Sequence, residues 1–313
     1  MGSQFTEVDV PGPRRDVIGY GSTPPFVRWP GGAMVAISLV VNAEEGSEIS
    51  FASGDGRNEG LGEIPYGMSN EFRDLCVESI YEYGARAGIW RLMRLFEEYS
   101  VKSTLFAAAV ALERNPEVAE WVGRGKHEVC SHGWRWEEQW LLSREEEREH
   151  IQAAIESFER SVGRRPVGWY CRYGPSVNTR ELLVEEGGFI YDSDSYADDL
   201  PYYVSVGDAR HLVVPYTMVY NDVKYAMPPG MTSPTDFFDV CRRGFDELLR
   251  EGHAGHPKMM SIGLHPRWAG QAGRTSALRE FLEYALGHSN VWFATREEIA
   301  RFWLVEHPDI STV

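Results

Sequence analysis

The run Ala33 to Val41, AMVAISLVV, is continuously apolar over the length of one strand. A half-exposed strand alternates apolar and polar residues. An unbroken run is what a strand covered on both faces needs, and such strands belong to parallel sheets flanked by helices. The run leads into Asn42-Ala43-Glu44-Glu45-Gly46, so a buried strand hands over directly to two carboxylates.

The rest of the chain repeats the pattern. Strand-like segments are read at 103–110, 127–131, 167–171, 190–194, 211–216, 258–264 and 291–293. Helical segments fall between them. Trp90, Leu92, Met93, Leu95 and Phe96 give residues 88–99 helical spacing, and 116–125, 143–162, 178–186, 234–251, 276–286 and 296–302 follow. Ser143 with Glu146 three residues on fits a capping box. Strands alternating with helices predict parallel βα units. About seven of them suit an α/β fold, a distorted (β/α) barrel whose site lies at the C-terminal ends of its strands. Residues 1–32, rich in Pro and Gly, are expected to form an irregular arm, and 33–313 one barrel domain. The polar, glycine-rich stretch 44–70 reads as a long loop, a kind of segment that is often functional.

Composition removes several classes of partner. A formal net charge of -16 argues against nucleic acid and anionic membranes, which need basic patches. The apolar share of 43% is enough for a sizeable core. No stretch of about 20 apolar residues predicts a membrane span. The N-terminus lacks the apolar segment of a secretory signal, so a cytoplasmic location is expected. Cys76, Cys130, Cys171 and Cys241 show no CxxC spacing and read as free thiols. No GxSxG, phosphate-loop or dinucleotide motif supports a serine hydrolase, nucleotidase or dehydrogenase.

Ionisable residues gather at the predicted strand ends: Glu44 and Glu45, His132, Arg172, Asp194, His265 and Arg267. A carboxylate beside a buried strand end can act as general base, and Glu44 and Glu45 both qualify. Imidazole titrates near neutrality, which makes His265 the best acid for a departing nitrogen. Arg172 could clamp an anion or hold a carboxylate through a bidentate bond. Trp134 and Trp136, in SHGWRW at 131–136, read as walls for a flat small-molecule substrate or as a core corner. The blander readings are a solvated acidic loop at 44–45 and structural roles for either histidine.

These runs together resemble the polysaccharide deacetylase superfamily, the NodB-homology fold, and within it the branch of allantoinase-like and cyclic-imide-hydrolase-like proteins. The landmarks are VVNAEEG at 40–46, YGARAGIWR at 83–91, SHGWRW at 131–136, GWYCR at 168–172, YDSDSYADDLPY at 191–202 and GLHPR at 263–267. The resemblance implies hydrolysis of a carbon–nitrogen bond that is not a peptide bond. It implies catalytic roles for Glu44, Glu45, His132, Arg172 and His265, substrate contacts from Trp134, Trp136, Asp194 and Arg267, and a homotetramer. Metal-dependent members place an acid pair after the first strand and a His-x-x-x-His motif further on. Here His132 matches the first histidine and Trp136 stands in the place of the second. Catalytic zinc usually takes three protein ligands, so a zinc site lacks its third ligand, with Glu137 the nearest substitute. No metal cofactor is expected. The function implied is ring opening of a small cyclic amide, imide or ureide; the alternatives are a metal-dependent deacetylase of acetylated sugars and an inactive binding module.

Overall fold

The structure is a computed structural model that describes Val8, residues 10–64 and residues 66–308. Residues 1–7 and 9 of the expected arm lie outside the described residues. The central element is strand β1, Val35–Ala43, buried at all nine positions. Strands β2 (Thr104–Ala107), β3 (Glu128–Ser131), β4 (Gly168–Trp169), β5 (Tyr191–Asp192), β6 (Tyr202–Val206), β7 (Ala209–Val213), β8 (Lys258–Leu264) and β9 (Val291–Phe293) complete one nine-stranded sheet. Its path is β6-β7-β5-β4-β3-β2-β1-β8, and β9 pairs with the start of β1. All pairings are parallel except β6 with β7. This is the predicted distorted barrel, with an added antiparallel hairpin where the sequence suggests a single strand at 211–216.

Helices cover the outside: α1 (Leu75–Tyr83), α2 (Ile89–Glu98), α3 (Ala109–Arg114), α4 (Pro116–Gly123), α5 (Arg144–Val162), α6 (Thr179–Glu186), α7 (Pro234–His253), α8 (Ala272–Leu286) and α9 (Arg296–Glu306). Residues 103–110, read as one strand, divide into the short β2 and then α3. The main core lies between β1, β2 and β8 and helices α2, α7 and α8, with Leu39, Val41, Leu92, Phe96, Phe245, Ile262 and Phe281 fully or almost fully buried. Among the described residues no helix is long and apolar enough to cross a membrane.

Irregular chain bridges the interval between β7 and β8. Met259 N–H donates to Asp199 O (2.9 Å) and Gly263 N–H to Tyr220 O (2.8 Å). The fully buried Arg296 stitches the same interval, donating to Ser193 Oγ (2.9 Å), Ser261 Oγ (2.8 Å) and the carbonyls of Val214 and Pro215. At the other end Trp29, the last side chain before β1's entry turn, donates to Lys258 O (3.0 Å) and packs against Trp292, Phe302 and Trp303.

The register positions the site. Ala43 aligns with Ala107, and Ala107 with Ser131, so Glu44 and His132 leave the sheet at one height, two strands apart. Val41 aligns with Leu264, which brings His265 beside the end of β1. Helix α1 approaches the same end. It passes through one π turn, Gly84–Gly88, before continuing as α2. π turns concentrate at functional sites. A Cβ on Gly84 would lie 2.5 Å from Glu45 Oε1, and one on Gly88 2.0 Å from Pro266 O. Only glycine lets the helix come this close.

Gly88→Ala must therefore push the helix off the 265–270 turn, an overpacking worth about 1–3 kcal/mol. Gly273, in α8 with no neighbour near its missing Cβ, is the control: Gly273→Ala should stabilise by about 0.5–1 kcal/mol. Urea unfolding midpoints of the two variants measured together check both signs.

Candidate active site

Glu44 sits at the centre of a buried charged group. Its Oε2 accepts from Arg267 Nη1 at 2.7 Å. Its Oε1 faces two imidazoles, His132 Nε2 at 3.3 Å and His265 Nε2 at 3.5 Å. Each of these four residues is at most 6% exposed. The partner of each ring's other nitrogen fixes its protonation. His132 Nδ1 lies 2.9 Å from Tyr170 O; a carbonyl can only accept, so this nitrogen carries the proton. His265 Nδ1 lies 2.6 Å from Asp222 Oδ1, and Asp222 Oδ2 accepts from the backbone N–H of His265 (2.8 Å) and of Ala269 (2.9 Å).

The charges set one another. Burial pushes the Glu44 carboxyl up, but Arg267 and His265 outweigh it and hold Glu44 well below the ordinary carboxylate range. Burial opposes a charge on His265, yet Asp222 and Glu44 overcome it and raise its pKa to about 9. Glu45 accepts from the backbone N–H of Glu44 (3.2 Å) and of Arg267 (3.3 Å). Burial, with Arg267 lowering and Glu44 raising it further, pushes Glu45 up to about 7. At neutral pH the group thus holds Glu44 and Asp222 as anions and Arg267 and His265 as cations.

Aromatic rings enclose the guanidinium of Arg267. Its carbon lies 4.2 Å from the Trp268 ring centre, 4.6 Å from Tyr81 and 5.3 Å from Trp136. Trp136 is stacked in turn on Arg172, 3.8 Å from ring to guanidinium carbon. Arg172 makes a bidentate pair with Glu59 (2.8 and 2.9 Å) and donates to Trp136 O (2.9 Å). It ties the 44–70 loop to the end of β4 and does not contact Glu44 directly.

The structure thus brings Glu44, Glu45, His132, His265, Arg267 and Trp136 together. Of the other three expected residues, Arg172 stands one ring further out, behind Trp136, and two lie elsewhere. The Trp134 ring sits edge-on against His150 of α5 (4.8 Å) and packs on the core, because the chain turns at Gly133 with φ 85°. Asp194 is half-buried just past the end of β4, where it accepts from Cys171 N–H (2.7 Å); desolvation of its carboxyl and then Asp192 push it up to about 7. Four participants went unread in the sequence. Asp222 lies 43 residues before His265, at the start of a short 3-10 helix. Tyr81 and Trp268 lie just outside the runs at 83–91 and 263–267, and Glu59 is one acid among many in its loop. Only the folded chain joins them. The four cysteines are free, and burial pushes the Cys130 and Cys171 thiols well up, which makes them poor nucleophiles.

The donor set does not fit a catalytic zinc. Trp136 offers no lone pair at the place of the second histidine. Glu137, the substitute, bonds His150 Nδ1 at 2.7 Å. The Arg267 cation already holds Glu44 and would repel a second cation there. Among the described residues no cluster of three or more His, Cys, Asp or Glu side chains could hold a metal ion.

The pH dependence of stability follows from the direction of each shift. His265, raised from 6.5 to about 9, contributes stability that is complete below pH 6.5 and lost as pH rises through about 9. Glu45, raised from 4.5 to about 7, behaves alike over its own window. Glu44, lowered below 4.5, contributes above that pH and loses its contribution in acid. Asp222→Asn should return the His265 pKa toward or below 6.5 and flatten the decline in stability between pH 6.5 and 9. Histidine NMR titration and urea unfolding across that window measure the two effects.

Residues 69–189 match the family model "Polysaccharide deacetylase". A crystal structure of a probable polysaccharide deacetylase from Pseudomonas aeruginosa PAO1 is 46% identical, with a TM-score of 0.90 over 95% of this chain and 99% of that one. A crystal structure of Puue allantoinase is 44% identical, with a TM-score of 0.91 over 97% of this chain and 100% of that one. A Schizosaccharomyces pombe protein named for the same family is 36% identical over 94% of this chain and 98% of its own length. On that identity across nearly its whole length, the chain belongs to the polysaccharide deacetylase family, in its allantoinase-like branch, and is a hydrolase of carbon–nitrogen bonds other than peptide bonds.

Proposed function

We propose that the chain opens a small cyclic amide, imide or ureide ring, such as that of allantoin, without a metal. The observation that carries this reading is the Glu44–Arg267 ion pair, 2.7 Å long, at the place where a metal-dependent relative would hold its cation. The likeness to an allantoinase supports it, since that relative's substrate class is a cyclic ureide.

Water held between Glu44 Oε1 and the imidazoles attacks the ring carbonyl carbon. Glu44 takes the water's proton as the carbon–oxygen bond forms. Glu44 serves here rather than Glu45, whose oxygens are turned to backbone N–H groups beneath Gly84. The tetrahedral carbon then expels the ring nitrogen, and the carbon–nitrogen bond breaks as His265 Nε2 donates its proton to that nitrogen. Glu44 returns the water's proton to His265, 3.5 Å away, which restores the resting state. The product keeps the new carboxyl at one end and the N–H at the other.

The oxyanion needs donors fixed in advance. Arg267 Nε and Nη2, Tyr81 Oη and Trp268 Nε1 are buried with no hydrogen-bond partner among the described residues, and the Tyr81 and Trp268 rings lie against the Arg267 guanidinium. Buried donors without partners are uncommon in folded proteins, and the carbonyl oxygens of an imide or ureide would satisfy them. His132, fixed by Tyr170, holds the water's other side. An activated ring suits this equipment better than an acetamide on a sugar, because hydrogen bonds alone must carry the developing charge.

Initial rates on allantoin, hydantoin, succinimide and N-acetylglucosamine oligomers, after dialysis against a strong chelator, test the reading. Turnover of a ring substrate that zinc neither restores nor raises is expected. Activity on the acetylated oligomers alone, dependent on added zinc or cobalt, would overturn it. His265→Ala should lower kcat by about 10²–10⁴-fold, the usual worth of a positioned acid.

A further inference from the structure

Among the described residues, two that are not glycine have a positive φ: Ser100 at 53° and Tyr173 at 58°. Ser100 has a local reason, since it closes helix α2 in an exposed turn where Val101 N–H returns to Phe96 O. Tyr173 closes no helix. Gly174 N–H donates to Arg172 O at 2.7 Å across it, so Tyr173 is the middle residue of a three-residue turn. The positive-φ form of that turn is rare and strained. Glycine or asparagine would adopt it at little cost; a bulky aromatic does not.

Burial does not repay the strain, because Tyr173 is 44% exposed. The turn does aim the ring. Its centre lies 5.9 Å from that of Trp136, and the guanidinium carbon of Arg172 lies 5.1 Å above it. Trp136 in turn lies against Arg267, the partner of Glu44. Partial burial raises the phenol's pKa, and its oxygen is near enough to Arg172, Glu44, Glu59 and Arg267 to feel all four charges. The ring therefore stands at the rim of the catalytic group, one face to water. Strain at such a place points to function.

We propose that Tyr173 is a specificity-determining lid: its ring closes over a small flat substrate and shuts a polymer chain out of the mouth. The proposal rests on the ring-opening reading. Arg172 and its bidentate partner Glu59 hold the lid by stacking from behind. The left-handed turn keeps it over the mouth, where a relaxed backbone would redirect it.

The test compares wild type, Tyr173→Asn and Tyr173→Phe by steady-state kinetics on the same panel and by thermal unfolding. Tyr173→Asn accepts the left-handed backbone and loses the ring. It should unfold at no lower a temperature than wild type, yet lose about tenfold or more in kcat/KM on the ring substrate, chiefly through KM, the worth of one aromatic contact. Tyr173→Phe, which keeps the ring, should recover most of that loss. Ring turnover in wild type with Tyr173→Asn unchanged would overturn the lid alone. Tyr173→Phe as impaired as Tyr173→Asn would assign the effect to the hydroxyl and also overturn it. A Tm drop of more than about 4 °C in Tyr173→Asn would mark a structural residue instead. Wild type active only on acetylated oligomers would overturn both the lid and the ring-opening reading.

Discussion

The buried pair of Glu44 and Arg267 is the interaction on which the site depends. Each charge taken alone out of water costs several kcal/mol, and breaking such a pair by removing one member costs about 3–5 kcal/mol. The chain meets that demand by pairing twice over: Glu44 with Arg267, and His265 with Asp222, the two pairs meeting at Glu44 Oε1. The group is neutral overall only if Glu45 keeps its proton, and burial beside Glu44 raises its pKa toward doing so. Much of the surrounding architecture serves this balance. The β1–β8 register places the acids beside the His265 turn. Gly84 and Gly88 let a helix seal it from one side. Glu59 and Arg172 fasten the long loop over the other.

A guanidinium changes what the site can do. A dication acidifies bound water and polarises a carbonyl through an open coordination position. Arg267 has neither ability, but it carries fixed N–H donors that need no rearrangement during the reaction. Trp268, Tyr81 and Trp136 around it keep water away, so those donors act at full strength. On the ring-opening reading, the loss of the second histidine and the arrival of Trp136 are one change: the aromatic ring that cannot bind a metal shelters the cation that replaces it.

The fold was largely legible in the sequence because its signal is local. The unbroken run at 33–41 is typical of a doubly covered strand, and the polar residue just past each run marked the mouth. Ser143 and Glu146 form the capping box their spacing implies. The misses have equally physical causes. Residues 75–88 look poorly helical because Gly84 and Gly88 lower propensity, yet tertiary contact keeps them helical. Trp134, read as a wall or a core corner, packs on the core beside the left-handed Gly133. Asp222 could not be read at all, since nothing in a four-residue 3-10 helix announces which imidazole its first side chain will meet.

On the ring-opening reading, the acid and base roles are not properties of single residues. Glu44 is a weak base at rest because two cations surround it, and His265 is a strong holder of its proton because two carboxylates face it. Those causes are partly the same contact. When His265 gives its proton to a departing nitrogen, Glu44 already carries the water's proton, and His265 is left as the stronger base of the two. The proton taken from water can then pass back along the 3.5 Å between them. On that reading the opposed pKa shifts draw the proton back to His265 and restore the resting state, and Asp222, by raising His265, strengthens that return.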